Sequence, residues 1–372
     1  MDACDVLIVG GGPAGSSCAW RLRQSGLDIA ILDRATFPRD KVCGGWITPQ
    51  VLGELGIESG EYGRGRVLQP ITAFRTGWIG GPVIDTDYQA TVSYGIRRRE
   101  FDEYLLRRSG ARLLDPAALT TLRRENGGWI VNDRIKTGLL IGAGGHFCPV
   151  AKLTGAKPPQ ENAVVAQETE FEMNDREQAA CRVRPETPEL YFCADLKGYG
   201  WCFRKNNFLN IGLGRLDRHR LSEHVAAFLA FLKSSGRVSF EMPAALVGHA
   251  YLLYGIAGRK IADDGVLLIG DAAGLAYKQS GEGIRPAIES GLLAAQAVLE
   301  ARGNYSRESL GGYGELLARR FGRSGQDWAS RVGQLLPSAW VGAAGRRLLE
   351  KRWFVRGVVI ERWFLHADQP AL

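Results

Sequence analysis

"DVLIVGGGPAGSSCAWRLRQSGLDIAILDR", residues 5–34, reads as a buried strand, a glycine turn, a helix and a second buried strand. The apolar run Val6–Val9 is strand-like, while Ala14, Cys18, Ala19 and Leu22 recur at helical spacing. Gly10, Gly12 and Gly15 form G-x-G-x-x-G at the strand-to-helix junction, and Asp33 closes the second strand. Each position has a physical reason. The first glycine permits the turn, the second lets backbone approach a pyrophosphate, and the third lets helix and strand pack closely. The start of the helix, opened by Pro13, presents free N–H groups such as that of Ala14 to the phosphates, and Asp33 accepts hydrogen bonds from ribose hydroxyls. A βαβ unit with this turn predicts an α/β dinucleotide-binding domain.

Working outward, "RREFDEYLLRRSG" (98–110) predicts a helix stopped by Gly110, and "TGLLIGAGG" (137–145) a buried strand after a hairpin at Asn126-Gly127-Gly128. Between 163 and 216 the texture changes to strand-like runs, "AVVAQETEFEM", "ELYFCADL", "YGWCFRK" and "FLNIGLGRL", which predict a separate antiparallel sheet. A helix is expected at about 221–235, with Val225, Phe228, Leu229 and Leu232 on one face. "DDGVLLIGDAAG" then repeats the turn, buried strand and glycine-rich end, and residues 284–300 read as a long apolar-faced helix. The nucleotide domain is therefore interrupted in sequence, with no internal repeat.

The chain has 372 residues, 45% of them hydrophobic, which suits a globular protein of two or three structural units. No basic segment and apolar run precede the first strand, so a cytoplasmic location is expected. The seven cysteines are scattered without C-x-x-C spacing, which argues against a disulfide framework and a metal site. The most apolar longer stretch, 244–258, is interrupted by His249 and is shorter than the ~18 to 20 residues of a spanning helix. A net charge of +7 favours anionic partners, but no nucleic-acid-binding motif accompanies it, and no nucleic-acid partner is expected. The tail "GRRLLEKRWFVRGVVIERWFLH" (345–366) mixes basic and aromatic residues without one clean helical face. It reads either as packing against the body or as peripheral contact with an anionic membrane.

"GGGPAG", "KVCGG", "YGIRRREFDEYL" and "GDAAG…SGEGI" resemble the FAD-dependent oxidoreductases that include geranylgeranyl reductases and aromatic hydroxylases. The motifs span residues 6 to 291 in order. The resemblance implies a discontinuous Rossmann-type FAD-binding domain (1–75, 96–157 and 259–310), an inserted antiparallel-sheet substrate domain (76–95 and 158–258) and a helical C-terminal region (311–372). It selects FAD as the bound cofactor, with NADPH or NADH as transient electron donor.

Carried over by motif, cofactor contacts fall on Gly10, Gly12, Pro13, Ala14, Gly15 and Asp33, with Arg34, Arg39, Lys41, Cys43 and Gly44 following. Arg98 matches the arginine that supports the FAD phosphates and ribityl region; the other reading is a solvated charge among Arg97–Arg99. Gly270 and Asp271 match the segment whose aspartate binds the ribityl chain, with a helix cap as the alternative. Gly281, Gly283 and Ile284 open a helix whose N-terminus is expected to stabilise the negative charge of reduced flavin.

One departure stands at Gly144, where the family usually has an aspartate that helps bind FAD and NAD(P)H. Beside it His146 is a candidate catalytic acid or a plain interior histidine, and Cys148 reads as packing. "GYGWCFRKNNFLNIGLG" (198–214) is similar to the Tyr-x-Trp-x-Phe-Pro-Lys…Asn-x-Gly segment of geranylgeranyl reductases, with Arg204 in place of the proline. Tyr199, Trp201 and Phe203 alternate and so share one sheet face, where they line an apolar pocket or pack between domains. Cys43 either borders the reacting centre or is a small residue fitted beneath the flavin.

The resemblance implies reduction of C=C bonds in a small apolar substrate by hydride from flavin N5. Two alternatives stay open: a flavin monooxygenase acting on an aromatic ring, and a non-catalytic prenyl- or lipid-binding protein of the same fold. The Trp-x-Trp-x-Ile-Pro signature of flavin-dependent halogenases is absent.

Overall fold

The computed structural model describes residues 2–217, 219–243, 246–322 and 338–372, and divides the chain into two compact units. The part of the expected C-terminal region at 323–337 lies outside the described residues.

The first unit takes in residues 2–40, 99–163 and 251–322. Its sheet runs Ala262–Asp263, Val266–Leu268, Ile135–Gly142, Asp2–Val9, Ile29–Leu32, Arg112–Leu113, and the four strands from Val266–Leu268 to Ile29–Leu32 are mutually parallel. These central strands are apolar on both faces, as Val6, Leu7, Ile8, Leu139, Leu140, Ile141, Leu267 and Leu268 require, and all eight are buried. The helix Pro13–Leu22 and the long helix Ile284–Ala301 cross at their glycine and alanine positions. Gly291 makes this possible, because a Cβ there would lie 3.1 Å from the Cys18 nitrogen and still nearer the Ala14 carbonyl. The hairpin Leu122–Glu125/Gly128–Val131 turns at Asn126-Gly127, both at positive φ (49° and 78°), as expected. The helix Arg98–Arg108 starts at the boundary of this unit and ends before Gly110 at φ 72°.

The second unit takes in residues 41–98, 164–250 and 338–372. Its main sheet has the order Val247–Tyr251, Val164–Glu172, Phe208–Arg215, Gly198–Lys205, Glu189–Phe192, Ala73–Trp78, Val83–Asp87. From Val164–Glu172 to Val83–Asp87 the pairing is antiparallel except between Glu189–Phe192 and Ala73–Trp78. A small sheet of Trp46–Ile47, Ser93–Ile96 and Leu68–Ile71 accompanies it. One face of the main sheet is an apolar core: Cys202, Leu209, Ile211 and Leu213 pack on Val225, Phe228 and Leu232 of the helix Leu221–Ser234.

The basic aromatic tail ends in a π-helix, Val355–Phe364, in which the Leu365 N–H reaches the Ile360 carbonyl (2.8 Å). Its wider turn gathers Val355, Val359, Ile360 and Phe364 into one buried stripe that a period of 3.6 does not align. Phe364 stacks on Trp46 (centroids 5.4 Å) and meets Tyr199 edge-on, so this part of the tail packs within the unit, while Trp353 is exposed. No helix of the described residues is long and apolar enough to cross a membrane.

Candidate active site

In the first unit, three turns follow the carboxyl ends of adjacent parallel strands and come together. The Ala143 N–H donates to the Val9 carbonyl (2.8 Å) and the Ile269 N–H to the Gly142 carbonyl (3.0 Å). Gly10, at φ 119°, turns so tightly that a Cβ would lie 3.0 Å from the Gly144 nitrogen, and a Cβ on Gly270 would lie 3.0 Å from that of Ala14. Residues 10, 144 and 270 are thus neighbours.

Their surroundings suit a dinucleotide. Gly12 caps the first helix with no side-chain hydrogen bond and no acidic residue in the first turn, leaving a positive helix end. A Cβ at Gly12 would meet only the Arg39 guanidinium, at 3.5 Å, so the backbone there stays open to a close ligand with a cation alongside. Arg39 is held in place by the fully buried Asp102 (3.1 Å). Asp33 accepts from the N–H groups of Gly11 (2.8 Å) and Ala35 (2.9 Å), which orients its carboxylate and leaves acceptor capacity for ribose hydroxyls. Arg34 is exposed beside it. These residues could hold an ADP-ribose moiety, and Gly281, Gly283 and Asp271 stand at the start of the long helix: a Cβ on Gly283 would lie 3.3 Å from Asp271 Oδ1. The Arg285 N–H is capped by Glu282 (2.8 Å) and Pro286 has no N–H, so the first turn presents the N–H groups of Gly283 and Ile284.

Gly144 has no room for the aspartate of the family pattern without adjustment, since a Cβ would lie 3.1 Å from Pro149 Cδ and 3.2 Å from Cys148 Cα. Cys148 is buried, and burial pushes its thiol up. His146 is also buried and its carbonyl accepts from Arg259 (2.8 Å), itself paired with Glu161.

In the second unit lie Lys41, Cys43, Gly44, Arg98 and the aromatic row. Tyr199, Trp201 and Phe203 do share a face, with Tyr199 and Trp201 rings 5.8 Å apart. This face, opposite the apolar core, is buried yet polar. Trp201 Nε1 donates to Asn210 (2.7 Å), whose amide donates to the Cys43 carbonyl and to Glu170 (both 3.3 Å). Lys205, fully buried, pairs with Glu170, which also meets Arg97 at 3.5 Å. The 43–45 turn lies on this face: a Cβ at Gly44 would be 3.8 Å from Phe203 and 3.9 Å from Trp201 Nε1, and one at Gly45 (φ 66°) would lie 2.6 Å from Lys205 Nζ. The Cys43 sulfur accepts from the Gly45 N–H (3.4 Å) and is half-buried. Arg204, in the place of the proline, stands opposite Leu209 in the strand pairing.

Two titratable groups of this unit were not singled out in the sequence. Glu168 is 1% exposed, and burial pushes its carboxyl up to about 8, with Lys205 opposing. His249, on the strand Val247–Tyr251, is pushed down to about 4 by burial and then by Lys41 and Arg98. The available signal was parity: Glu168 stands in step with Val164 and Ala166, the buried side of its strand.

Parallel strands ending in a glycine turn, a helix start and an acid at the end of the second strand define the class of dinucleotide-binding α/β proteins. The FAD dependent oxidoreductase family matches residues 5–151. A menaquinone reductase of Mycobacterium tuberculosis is 30% identical over 359 residues, covering 90% of this chain and 84% of that protein. A digeranylgeranylglycerophospholipid reductase of Methanosphaera stadtmanae is 26% identical, covering 87% and 85%. Among solved structures, a geranylgeranyl bacteriochlorophyll reductase-like protein of Thermoplasma acidophilum superposes with a TM-score of 0.80 at 22% identity, over 99% of this chain and 98% of that one. The chain belongs to the FAD-dependent oxidoreductases, in the geranylgeranyl reductase family, and is an enzyme.

Proposed function

We propose that this enzyme reduces carbon–carbon double bonds of an isoprenoid chain carried on an apolar lipid. The observation that carries the reading is the buried face of Tyr199, Trp201 and Phe203, against which the Cys43–Gly45 turn lies. An aromatic floor favours an apolar chain, and the buried polar groups set among it supply positioning and protons. Similarity to reductases of prenyl lipids supports the same substrate class.

FAD fits the first unit: Gly10, Gly12, Pro13, Ala14, Gly15 and Arg39 for the pyrophosphate, Asp33 for the ribose, and Asp271, Gly281, Gly283 and Ile284 for the ribityl and flavin end. When bound, it supplies a hydride from its reduced N5. The chain's own part is to hold the phosphates on a helix end, to exclude water from the buried face and to move a proton to the substrate. NADPH or NADH is the transient donor in this reading, with Gly144 as the point of departure from the family. Lys351, Arg352, Trp353 and Arg356, all exposed, form a peripheral contact with an anionic lipid surface.

The test is anaerobic. The purified holoenzyme is reduced with NADH, NADPH or dithionite in turn and mixed with geranylgeranylated lipids in detergent. Flavin reoxidation with a matching gain of two hydrogens per double bond by mass spectrometry is the expected result. Oxygen consumption with stoichiometric hydroxylation of a ring, and no saturated product, would refute it.

A further inference from the structure

Within the second unit, one acidic group has no evident structural use. The strand pairing sets Glu168 opposite Gly212 and Gly212 opposite Trp201, so all three stand in one cross-strand row on the buried polar face. Gly212 has no side chain to separate them, and a Cβ there would lie 2.5 Å from that of Glu168 and closer still to the Trp201 ring. In the next row Glu170, Asn210 and Phe203 are likewise aligned, but there the carboxylate is engaged by Lys205, Arg97 and Asn210. Glu168 differs: neither of its oxygens has a hydrogen-bond partner among the described residues, although both are buried.

A buried carboxyl without partners is costly, and more so as a carboxylate, so a stability role does not account for it. The same arrangement suits a group that must hold a proton and release it to an apolar substrate.

We propose that Glu168 is the acid that protonates the substrate double bond. This rests on the reductase reading above. In the step, the π bond breaks, one carbon gains the hydride that reduced flavin supplies, and the adjacent carbon gains the Glu168 proton. The alkene is reduced and the flavin oxidised, and the carboxylate left on Glu168 regains its proton from water.

The charged groups around Glu168 come from three directions: Glu170 on its own strand, Lys205 on the strand beyond Phe208–Arg215, and Lys41 and Arg98 from the 41–98 segment. The three cations favour the carboxylate that forms and Glu170 opposes it, while burial dominates and keeps the resting group protonated up to about pH 8. His249, facing the same Lys41 and Arg98, stays neutral at pH 7 and adds no charge.

The experiment compares wild type with Glu168→Gln, Glu168→Asp and Cys43→Ser, each as purified holoenzyme. Infrared difference spectra across pH 5–10 read the protonated carboxyl independently of turnover: a C=O band present at pH 7 and fading above about pH 8 is expected, absent in E168Q. Single-turnover oxidation of dithionite-reduced enzyme by a prenyl alkene should slow by ~100-fold or more in E168Q, with partial recovery in E168D. The wild-type rate should fall above about pH 8 and the residual E168Q rate should be flat. Equal rates in wild type and E168Q, loss in C43S alone, or no Glu168-dependent band would each overturn the proposal while leaving the reductase reading standing. Absence of any alkene reduction by wild type would instead remove both.

Discussion

The third glycine of the turn offers the sharpest test of the cofactor cradle. A Cβ added at Gly15 would lie 2.0 Å from the Gly10 carbonyl oxygen and 3.0 Å from Ile8 Cγ2. Relief requires the helix Pro13–Leu22 to move from the strand Asp2–Val9 by roughly 1.5 Å to reach ordinary van der Waals separation. The oxygen belongs to backbone and Ile8 is fully buried, so neither yields by a rotamer change. Overpacking of this kind costs about 1–3 kcal/mol. In a unit of this size each kcal/mol lowers the melting temperature by about 2–4 °C. Gly15→Ala should therefore lower the apoprotein midpoint by roughly 2–12 °C. On the proposed phosphate site it should also displace the helix start, weakening FAD by about tenfold for each 1.4 kcal/mol lost. Calorimetry of the flavin-free protein and fluorescence titration with FAD separate the two effects. A variant with unchanged midpoint and unchanged affinity would refute the packing argument and the phosphate assignment together.

Glu289→Ala removes the buried acceptor that joins the guanidiniums of Arg285 (2.7 Å), itself buried, and Arg320 (2.8 Å), and should cost about 3–5 kcal/mol by thermal or urea unfolding. Glu168 holds its proton in the folded chain from pH 4.5 up to about 8, where the unfolded chain has lost it, so it makes stability fall as pH rises through that window. The stability difference between Glu168→Gln and wild type should grow in favour of the variant from pH 5 to 8, measured by urea midpoints. His249 has the opposite consequence: its depressed value makes stability fall as pH drops from 6.5 towards 4, and His249→Gln should flatten that limb. Trp353→Ala should reduce cosedimentation with phosphatidylserine vesicles while leaving turnover of detergent-dispersed substrate unchanged.

The strand, glycine turn and helix were readable because they are local. Residues 5–34 carry strand, turn, helix and strand contiguously, and each glycine has a backbone reason to be there. The hairpin at Asn126-Gly127 and the helix before Gly110 were readable for the same reason. Glu168 was not, because its meaning depends on a cross-strand partner without a side chain, Gly212, and on two oxygens without a hydrogen-bond partner among the described residues. Asn210 and Lys205 lay within the quoted 198–214 segment, but only strand register shows them meeting Trp201 and Glu170. The tail failed a test of helical periodicity because its turn is wider than the one tested: a π-helix aligns Val355, Val359, Ile360 and Phe364.

The interleaving of the two units bears on how the protein can be made and dissected. The chain passes between them at 40/41, 98/99, 163/164 and 250/251, and once more between the segments 251–322 and 338–372. The parallel sheet takes its strand Val266–Leu268 from a segment synthesised long after the strand beside it. A ribosome-bound nascent chain of 1–163 therefore cannot close that sheet, and the glycine loop waits, unbacked by the 284–301 helix, until about four-fifths of the polypeptide has emerged. Cofactor capture during translation is thus a late event, and neither half can be expressed alone as a working module by simple truncation.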